Sequence, residues 1–189
     1  AVDDIKLTSK EPQTISFELK GLPAGKHTAS IAGAEAEFTV YRPAELKVTG
    51  FTVEPESVMM GEAVKVKATV KNSGELPGGF ESPLSFDGAE LQVLKATVEP
   101  GEETVIEAEF VLDGRGQHTF ALEGENRTVT AIAPARIEVT GLKLSKVYPK
   151  PKEAVTATVT VENSGDLPGN YTVVLSVNGT AAQQKEVTV

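Results

Sequence analysis

Two histidines are the side chains of this sequence best suited to acid–base chemistry or to metal binding. His27 and His118 lie in the same local pattern, Gly-x-His-Thr, and no other histidine is present. A zinc site needs several ligands at short spacing, and neither histidine has a second one nearby in the sequence. Residues at equivalent positions of a repeat usually serve its fold. We therefore interpret both histidines as structural.

Carboxylates are numerous, but their spacing does not predict a metal site. No Asp-x-Asp-x-Asp loop of the calcium-binding type occurs, and alternating Glu residues are typical of a solvated strand face. Gly-x-Ser-x-Gly, P-loop and dinucleotide-binding patterns are also absent. We predict no catalytic residue, no metal site and no cofactor. The acidic residues considered are Asp3, Asp4, Glu99, Glu102, Glu103, Glu107 and Glu109.

Three asparagines are candidate N-glycosylation sites, because each is followed by any residue and then Thr. They are Asn126, Asn170 and Asn178, out of five asparagines in the chain. Turn residues dominate around Asn178 and Asn170, so a glycan would be tolerated there. The pattern is loose, and chance occurrence stays open beside the glycoprotein interpretation.

Composition excludes several classes of protein. The 189 residues include 18 Lys plus Arg and 27 Asp plus Glu, which gives a net charge of −9. Such a chain lacks the positive surface that nucleic acids require. Zero Cys excludes disulfide scaffolds and thiolate metal sites. The sequence contains no apolar run of about 18–20 residues that would predict a transmembrane helix, and it shows no signal peptide.

The sequence repeats itself with a period of 91 residues. When residues 1–98 are paired with 92–189, 31 of the 98 pairs are identical without a gap, far above the roughly 6 that chance would give. The longest conserved block is Asn-Ser-Gly-Glu/Asp-Leu-Pro-Gly at 72–78 and 163–169.

Alternation of apolar and polar residues predicts β-strands throughout. Residues 64–70 place Val and Ala on one face and Lys and Thr on the other, and residues 155–161 repeat this. Asp87-Gly88 and Asn178-Gly179 are typical of two-residue hairpin turns. Seven strands in about 90 residues indicate an immunoglobulin-like β-sandwich. The predicted strands are 45–54, 63–71, 80–87, 90–98, 104–112, 117–123 and 127–133.

The run Gly61-Glu62-Ala63 through Asn72-Ser73-Gly74, and its copy from Lys152 to Gly165, resemble the CARDB family, the cell adhesion related domain found in bacteria. The Glu99-Pro100-Gly101 turn and the Gly-x-His-Thr strand fit the same resemblance. It implies tandem immunoglobulin-like modules in secreted or cell-surface proteins of prokaryotes, which serve as spacers, adhesive stalks or envelope components. It implies no catalytic or binding residue.

The register of the repeat predicts one complete and one divided domain. We place a complete domain at residues 43–134 (the central domain). Residues 1–42 (the leading segment) match its second half, and residues 135–189 (the trailing segment) match its first half. Residues 1–7 and 183–189 are equivalent, so one strand occurs twice.

Three explanations of this register stay open. The chain is a piece of a longer array, or the two segments complement each other between chains, or they pair within one chain. The joints at 42–44 and 133–135 are short and nearly identical, which favours an extended array over a chain that folds back.

We therefore expect a non-enzymatic extracellular or cell-surface protein with a structural or adhesive role. It would be an array or filament subunit whose half-domains join head to tail by strand complementation, with a glycan or the cell envelope as a further candidate partner. Two alternatives are a module that binds a carbohydrate or protein through loops 72–79 and 163–170, and an accessory segment of a larger secreted enzyme.

Overall fold

The computed structural model describes residue 12 and residues 14–189, and the described residues form an all-β structure, as predicted. Residues 1–7, which were predicted to repeat a strand, and the pair Asp3-Asp4 lie outside the described residues. The strands of the described part are β1 (Gly25–Ile31), β2 (Ala34–Val40), β3 (Leu46–Glu54), β4 (Ser57–Met59), β5 (Ala63–Asn72), β6 (Gly78–Phe86), β7 (Ala89–Val98), β8 (Glu103–Val111), β9 (Gly116–Leu122), β10 (Glu125–Ile132), β11 (Ile137–Leu144), β12 (Ala157–Asn163), β13 (Asn170–Val177) and β14 (Thr180–Thr188).

The central domain is a sandwich of two sheets. One sheet has the order β3-β5-β8, and the other has the order β4-β10-β9-β6-β7. All seven strands predicted for this region are present, with ends displaced by no more than two residues. The short strand β4, which pairs parallel to β10, was not predicted because three residues are too few to show an alternation. The tandem immunoglobulin-like arrangement stays a prediction.

The core of the sandwich consists of the inward residues of both sheets. Successive side chains of a strand point to opposite faces, so the alternating Val and Ala of β5 are buried, while its Lys and Thr are partly exposed. Phe120 on β9 and Leu84 on β6 are fully buried against them. Burial of each such large side chain contributes about 1.5–3 kcal/mol.

A buried amide closes one end of this core. Asn72 continues the inward face of β5 and is 0% exposed. Its Oδ1 accepts hydrogen bonds from the backbone N–H groups of Glu45 (3.1 Å) and Gly74 (2.9 Å), and its Nδ2 donates to the carbonyls of Leu76 (2.8 Å) and Val98 (3.0 Å). This one side chain therefore joins the start of β3, the end of β5, the following loop and the end of β7.

The trailing segment reproduces this network at Asn163. Its Oδ1 accepts from the N–H groups of Arg136 (3.0 Å) and Gly165 (2.9 Å), and its Nδ2 donates to the carbonyls of Leu167 (2.8 Å) and Val189 (3.0 Å). Each partner is 91 residues beyond the corresponding partner of Asn72.

Strands β11 to β14 also repeat the register of the central domain. β11 pairs with β12 and β13 pairs with β14, as β3 pairs with β5 and β6 with β7. Even the irregularities recur, because the register shifts at Val48/Gly50 and Leu84/Ser85 return at Val139/Gly141 and Leu175/Ser176. The trailing segment thus repeats the strand pairing that joins β3 to β5 and β6 to β7 in the central domain.

The leading segment contains one hairpin. β1 and β2 span residues equivalent to β9 and β10 and pair antiparallel, with His27 opposite Phe38. The alternation at Ile15, Phe17 and Leu19 predicted a strand equivalent to β8, and this prediction is wrong for the chain as described, since residues 14–20 form no strand. A strand needs a neighbour for its backbone hydrogen bonds, and in the central domain β5 supplies that neighbour to β8.

The described chain divides after Pro43 into two compact units, of which the second runs from Ala44 to Val189. The central domain and the trailing segment therefore belong to one unit. The predicted domain boundary near residue 134 stays a prediction.

Replacing Asn72 by Ala should destabilise the central domain by about 3 kcal/mol, because four backbone groups lose their partner and those of Gly74 and Val98 are buried. Urea unfolding followed by circular dichroism measures this loss. Ser73→Ala is the matched control: the Ser73 hydroxyl is exposed and lies 3.0 Å from the Glu45 carboxylate, so its loss should cost no more than about 0.5 kcal/mol. Equal losses in the two variants would contradict the role given to the buried amide.

Candidate functional site

The candidate site is a set of strand edges and apolar faces in the leading and trailing segments. In the central domain β5 lies between β3 and β8, and β6 lies between β7 and β9. In the described structure their equivalents β12 and β13 each have a single neighbour, β11 and β14 respectively, and β1 has only β2. Edges of this kind carry backbone donors and acceptors that can pair with a further strand.

The inward face of the trailing segment is exposed, whereas the equivalent face of the central domain is buried. Leu142 is 60% exposed and its equivalent Phe51 is 2% exposed. Val155 is 39% exposed and Val64 is 0% exposed. Apolar surface of this extent is typical of a site that binds another chain.

The leading segment shows the same contrast. Ile31 is 65% exposed and its equivalent Leu122 is 1% exposed. Phe17 and Leu19 are also exposed. Both segments therefore expose apolar residues whose equivalents in the central domain are buried.

Charged side chains mark the seam between the two halves of the central domain. On the outward face of β5 and β8, lysines and glutamates lie opposite one another. We call this set the Lys–Glu ladder. Its ion pairs are Lys65–Glu109 (3.7 Å), Lys65–Glu107 (3.9 Å), Lys67–Glu107 (3.2 Å) and Lys71–Glu103 (3.4 Å).

The corresponding seam residues of the two segments are almost uncharged. The residues that replace Lys65, Lys67 and Lys71 are Thr156, which precedes β12, and Thr158 and Glu162 on β12. The leading-segment residues that replace Glu109, Glu107 and Glu103 are Glu18, Ser16 and Pro12. The segments thus lack the Lys–Glu ladder on both sides.

A histidine–carboxylate pair lies at the second seam between the two halves of the central domain, where β6 meets β9. His118 on β9 has Nδ1 2.8 Å from Oδ2 of Asp87 and Nε2 2.8 Å from the Gly114 carbonyl. The other carboxylate oxygen, Oδ1, accepts the backbone N–H of Thr119 at 2.8 Å. The imidazole also stacks on Phe86, with ring centroids 5.1 Å apart.

This environment favours the charged form of both groups. The hydrogen bond that His118 donates to Asp87, followed by the one that it donates to the Gly114 carbonyl, raises the pKa of His118 above its ordinary 6.5. The hydrogen bond from His118, followed by that from the Thr119 N–H, lowers the pKa of Asp87 below 3.8. The pair is an ion pair that holds the β6–β7 turn against β9.

A second ionic contact fixes the joint between the central domain and the trailing segment. Arg115 donates to the Ser164 carbonyl at 2.9 Å and pairs with Asp166. Asp166 Oδ2 accepts the Ala133 N–H at 2.8 Å, and the Asp166 N–H donates to the Ala133 carbonyl at 3.0 Å. The Ala133 N–H and then Arg115 hold the pKa of Asp166 below its ordinary value.

The predicted sites lie apart from one another. His27 is on β1, with Nε2 2.8 Å from the Pro23 carbonyl. Asn126 is exposed on β10, and Asn170 begins β13, where its Oδ1 accepts the Thr188 hydroxyl at 2.7 Å. Asn178 occupies the β13–β14 turn with φ 50°. Whether any of the three carries a glycan stays a prediction.

The described residues hold no group of three or more His, Asp or Glu side chains arranged for a metal ion. None of the described residues belongs to a helix long and apolar enough to cross a membrane. Depressions beside Asn126 and Arg127, and beside Leu46 and Glu123, are open to solvent.

Sequence reasoning missed the hydrogen-bonding role of Asn72 and Asn163 and the pairing of Asp87 with His118. The role of Asn72 could have been predicted, because Asn72 lies on the same inward face of β5 as Val64, Val66 and Val70. The pairing of Asp87 with His118 could not, since 31 residues separate the two side chains.

Comparisons with known proteins assign no family to this chain. No protein-family model matches it, and no curated protein matches it. Solved structures with a similar part include a β-glucosidase from Erythrobacter marinus (16% identity, 47% of this chain, 15% of that chain, TM-score 0.42). Others are β-glucosidases from Listeria innocua (16%, 54%, 17%, 0.40) and Paenibacillus barengoltzii (14%, 65%, 19%, 0.34). This chain spans less than a fifth of each, and likenesses this weak say nothing about its role.

Asp87→Asn should change how the stability of the central domain depends on pH. The raised pKa of His118 means that its contribution is complete below about pH 6.5 and lost as pH rises through the folded value. The lowered pKa of Asp87 means that its contribution is present above about pH 3.8 and lost as pH falls. We expect the variant to be less stable than the parent near pH 5.5, and the difference to be smaller near pH 9, where the contribution of His118 is lost and only that of Asp87 remains.

Urea unfolding at these two pH values measures the difference, and Asp113→Asn, which removes an exposed carboxylate elsewhere, is the control. Parallel pH profiles for the parent and Asp87→Asn would contradict the proposed coupling.

Gly165→Ala should open the joint after the central domain. A Cβ at this position would lie 2.0 Å from the Pro134 carbonyl oxygen, whereas at Gly141 it would meet Thr160 at an ordinary 3.4 Å. Limited proteolysis should cleave Gly165→Ala near residues 133–136 several-fold faster than the parent, with Gly141→Ala as the control. Unchanged cleavage of Gly165→Ala would show that the joint does not need this close approach.

Proposed function

We propose that this chain is a non-enzymatic structural or adhesive protein that works outside the cell as a repeat array or filament subunit. In this proposal the trailing segment of one copy and the leading segment of a second copy complete a sandwich equivalent to the central domain. The complementation is head to tail, so it continues from copy to copy.

The observation that supports the proposal is the pair of unpaired edges in the trailing segment. β12 and β13 keep the internal register of β5 and β6, yet the edges that bind β8 and β9 in the central domain have no strand beside them among the described residues. The leading segment holds the matching sequence, β1 for β9 and residues 12–20 for β8. Joining them would bury Leu142, Val155 and Ile31, which favours association.

Seam charges favour a terminal segment, rather than a central half, as the partner of β12. If β8 of another copy paired with β12, Glu103 would lie opposite Glu162, and the Lys–Glu ladder would lose its lysines. Like charges directly opposite each other on a sheet are destabilising. The leading segment instead places Pro12, Ser16 and Glu18 against Glu162, Thr158 and Thr156. No two charged residues then lie opposite each other at these positions.

The extracellular and prokaryotic parts of the proposal follow from the resemblance to CARDB-type domains and from the candidate glycosylation sites. The non-enzymatic part rests on the described side chains, whose ionisable groups hold strands and joints together. A fixed joint at Arg115 and Asp166 suits a mechanical role, because it transmits orientation from one domain to the next.

Cysteine cross-linking tests the pairing, because the chain contains no Cys. Lys67 and Glu107 are cross-strand partners, and their equivalents are Thr158 and Ser16. Directly opposite residues have Cα atoms about 4.5–5.5 Å apart, which is suitable for a disulfide. We expect the double variant Thr158→Cys, Ser16→Cys to form a series of disulfide-linked dimers, trimers and longer species under oxidation.

The control carries Thr158→Cys with Glu107→Cys and tests whether β8 of the central domain is captured instead. Efficient cross-linking of the control, or a purely intramolecular disulfide in the test variant, would contradict the head-to-tail proposal. Light scattering of the parent chain gives an independent result, since a monomer at every concentration would also contradict it.

A further inference from the structure

The Asp87–His118 pair connects the two halves of the central domain, and its parts recur on the two segments. Asp87 is the first residue of the β6–β7 turn, with φ 49°, followed by Gly88 with φ 83°. Its backbone N–H donates to the Thr119 carbonyl at 2.8 Å, and its carboxylate binds His118 and the Thr119 N–H. The pair therefore sits where β6 meets β9, at the seam between the halves.

The histidine side of this arrangement is preserved in the leading segment. β1 aligns with β9 residue for residue, which puts His27 and Thr28 in the positions of His118 and Thr119. His27 Nε2 lies 2.8 Å from the Pro23 carbonyl, as His118 Nε2 lies 2.8 Å from the Gly114 carbonyl. This contact engages Nε2 of His27, the same ring nitrogen that His118 uses toward Gly114.

The turn side is preserved in the trailing segment, with one change of chemistry. Asn178 and Gly179 have φ 50° and 79°, so the turn matches that of Asp87 and Gly88, but an amide replaces the carboxylate. An amide oxygen can accept the backbone N–H that the Asp87 Oδ1 accepts, and an amide nitrogen donates where the Asp87 Oδ2 accepts.

We propose that Asn178 of one copy binds His27 and Thr28 of a second copy, and that its sequon is therefore an assembly contact rather than a glycan site. The inference rests on the proposed head-to-tail function. With Nε2–H donating to Pro23, a neutral His27 has an acceptor at Nδ1, which receives the Asn178 Nδ2–H. Asn178 Oδ1 accepts the Thr28 N–H. A glycan on Nδ2 would stand in the seam and prevent this closure.

The chemistry explains why Asn stands at the joint and Asp within the domain. The carboxylate of Asp87 requires a histidine that donates at both nitrogens, which is the charged form. The amide of Asn178 is satisfied by the neutral histidine, so the joint between copies closes without a proton being bound.

Sedimentation of full-length variants tests the contact through the association constant. Asn178→Gly removes the amide and keeps the turn, because Gly adopts positive φ without strain. His27→Phe removes the ring nitrogens and keeps the ring beside Phe38, whose centroid lies 5.4 Å away. Each variant should associate about five- to tenfold more weakly than the parent. The double variant should be no weaker than the weaker single variant.

His118→Phe is the matched control, because its carboxylate partner belongs to the same domain, and its association should equal that of the parent. Asn178→Asp should associate more strongly near pH 5.5 than near pH 9, since it converts the contact into a copy of the Asp87–His118 pair.

Two results are distinct. If the parent does not associate, the head-to-tail function itself is wrong. If the parent associates but Asn178→Gly associates equally well, or the losses of the two single variants add in full, the amide contact is wrong and the complementation stands. Expression in a glycosylating host gives a further readout, because assembled material should lack a glycan at Asn178, and a glycan found there would overturn the inference.

Discussion

The structure depends on one amide in each repeat, which is buried at Asn72 and partly buried at Asn163. A β-sandwich must finish its strands without leaving polar backbone groups in the core, and Asn72 satisfies four of them with a single side chain. The partners of the amide lie at the start of β3, in the loop after β5 and at the end of β7. The amide therefore holds the backbone of the first half of the unit in place without a contact to any strand of the second half. The identical network at Asn163 shows why the trailing segment keeps the register of the central domain with only four strands.

What the amide cannot supply is burial. It fixes where the backbone of β11 to β14 lies, but a single face of two hairpins leaves Leu142 and Leu144 more than half exposed. The leading segment has the same deficit, since its hairpin has no further strand beside it among the described residues and leaves Ile31 65% exposed. Hydrogen bonds hold the strands of each segment in register. The apolar face of each segment stays exposed because no second sheet covers it.

Sequence alone predicted most of the fold and little of the site. Alternation in β5 and β8 and the Asp87-Gly88 turn were sufficient for the strands of the central domain, because period and turn chemistry are local properties. The strand expected at Ile15 to Leu19 did not form, since a strand depends on a partner that local pattern does not provide. The His118–Asp87 and Arg115–Asp166 pairs could not be predicted, because each joins residues that only the fold brings together.

The positions at which the repeats differ bear more on which half pairs with which than the positions at which they are identical. The two halves of a unit that folds within one chain are at high effective concentration. Exposed charges such as the Lys–Glu ladder then fix the register of the strands but add little free energy of folding. A seam that closes between chains has no such advantage, and charges there would be screened by salt and would attract the wrong half. Thr158 and Ser16 in place of Lys67 and Glu107, and Asn178 in place of Asp87, remove charge at equivalent points of both seams. In the proposed assembly the central domain and the seam between copies therefore share one backbone design, while each half is directed to a different partner.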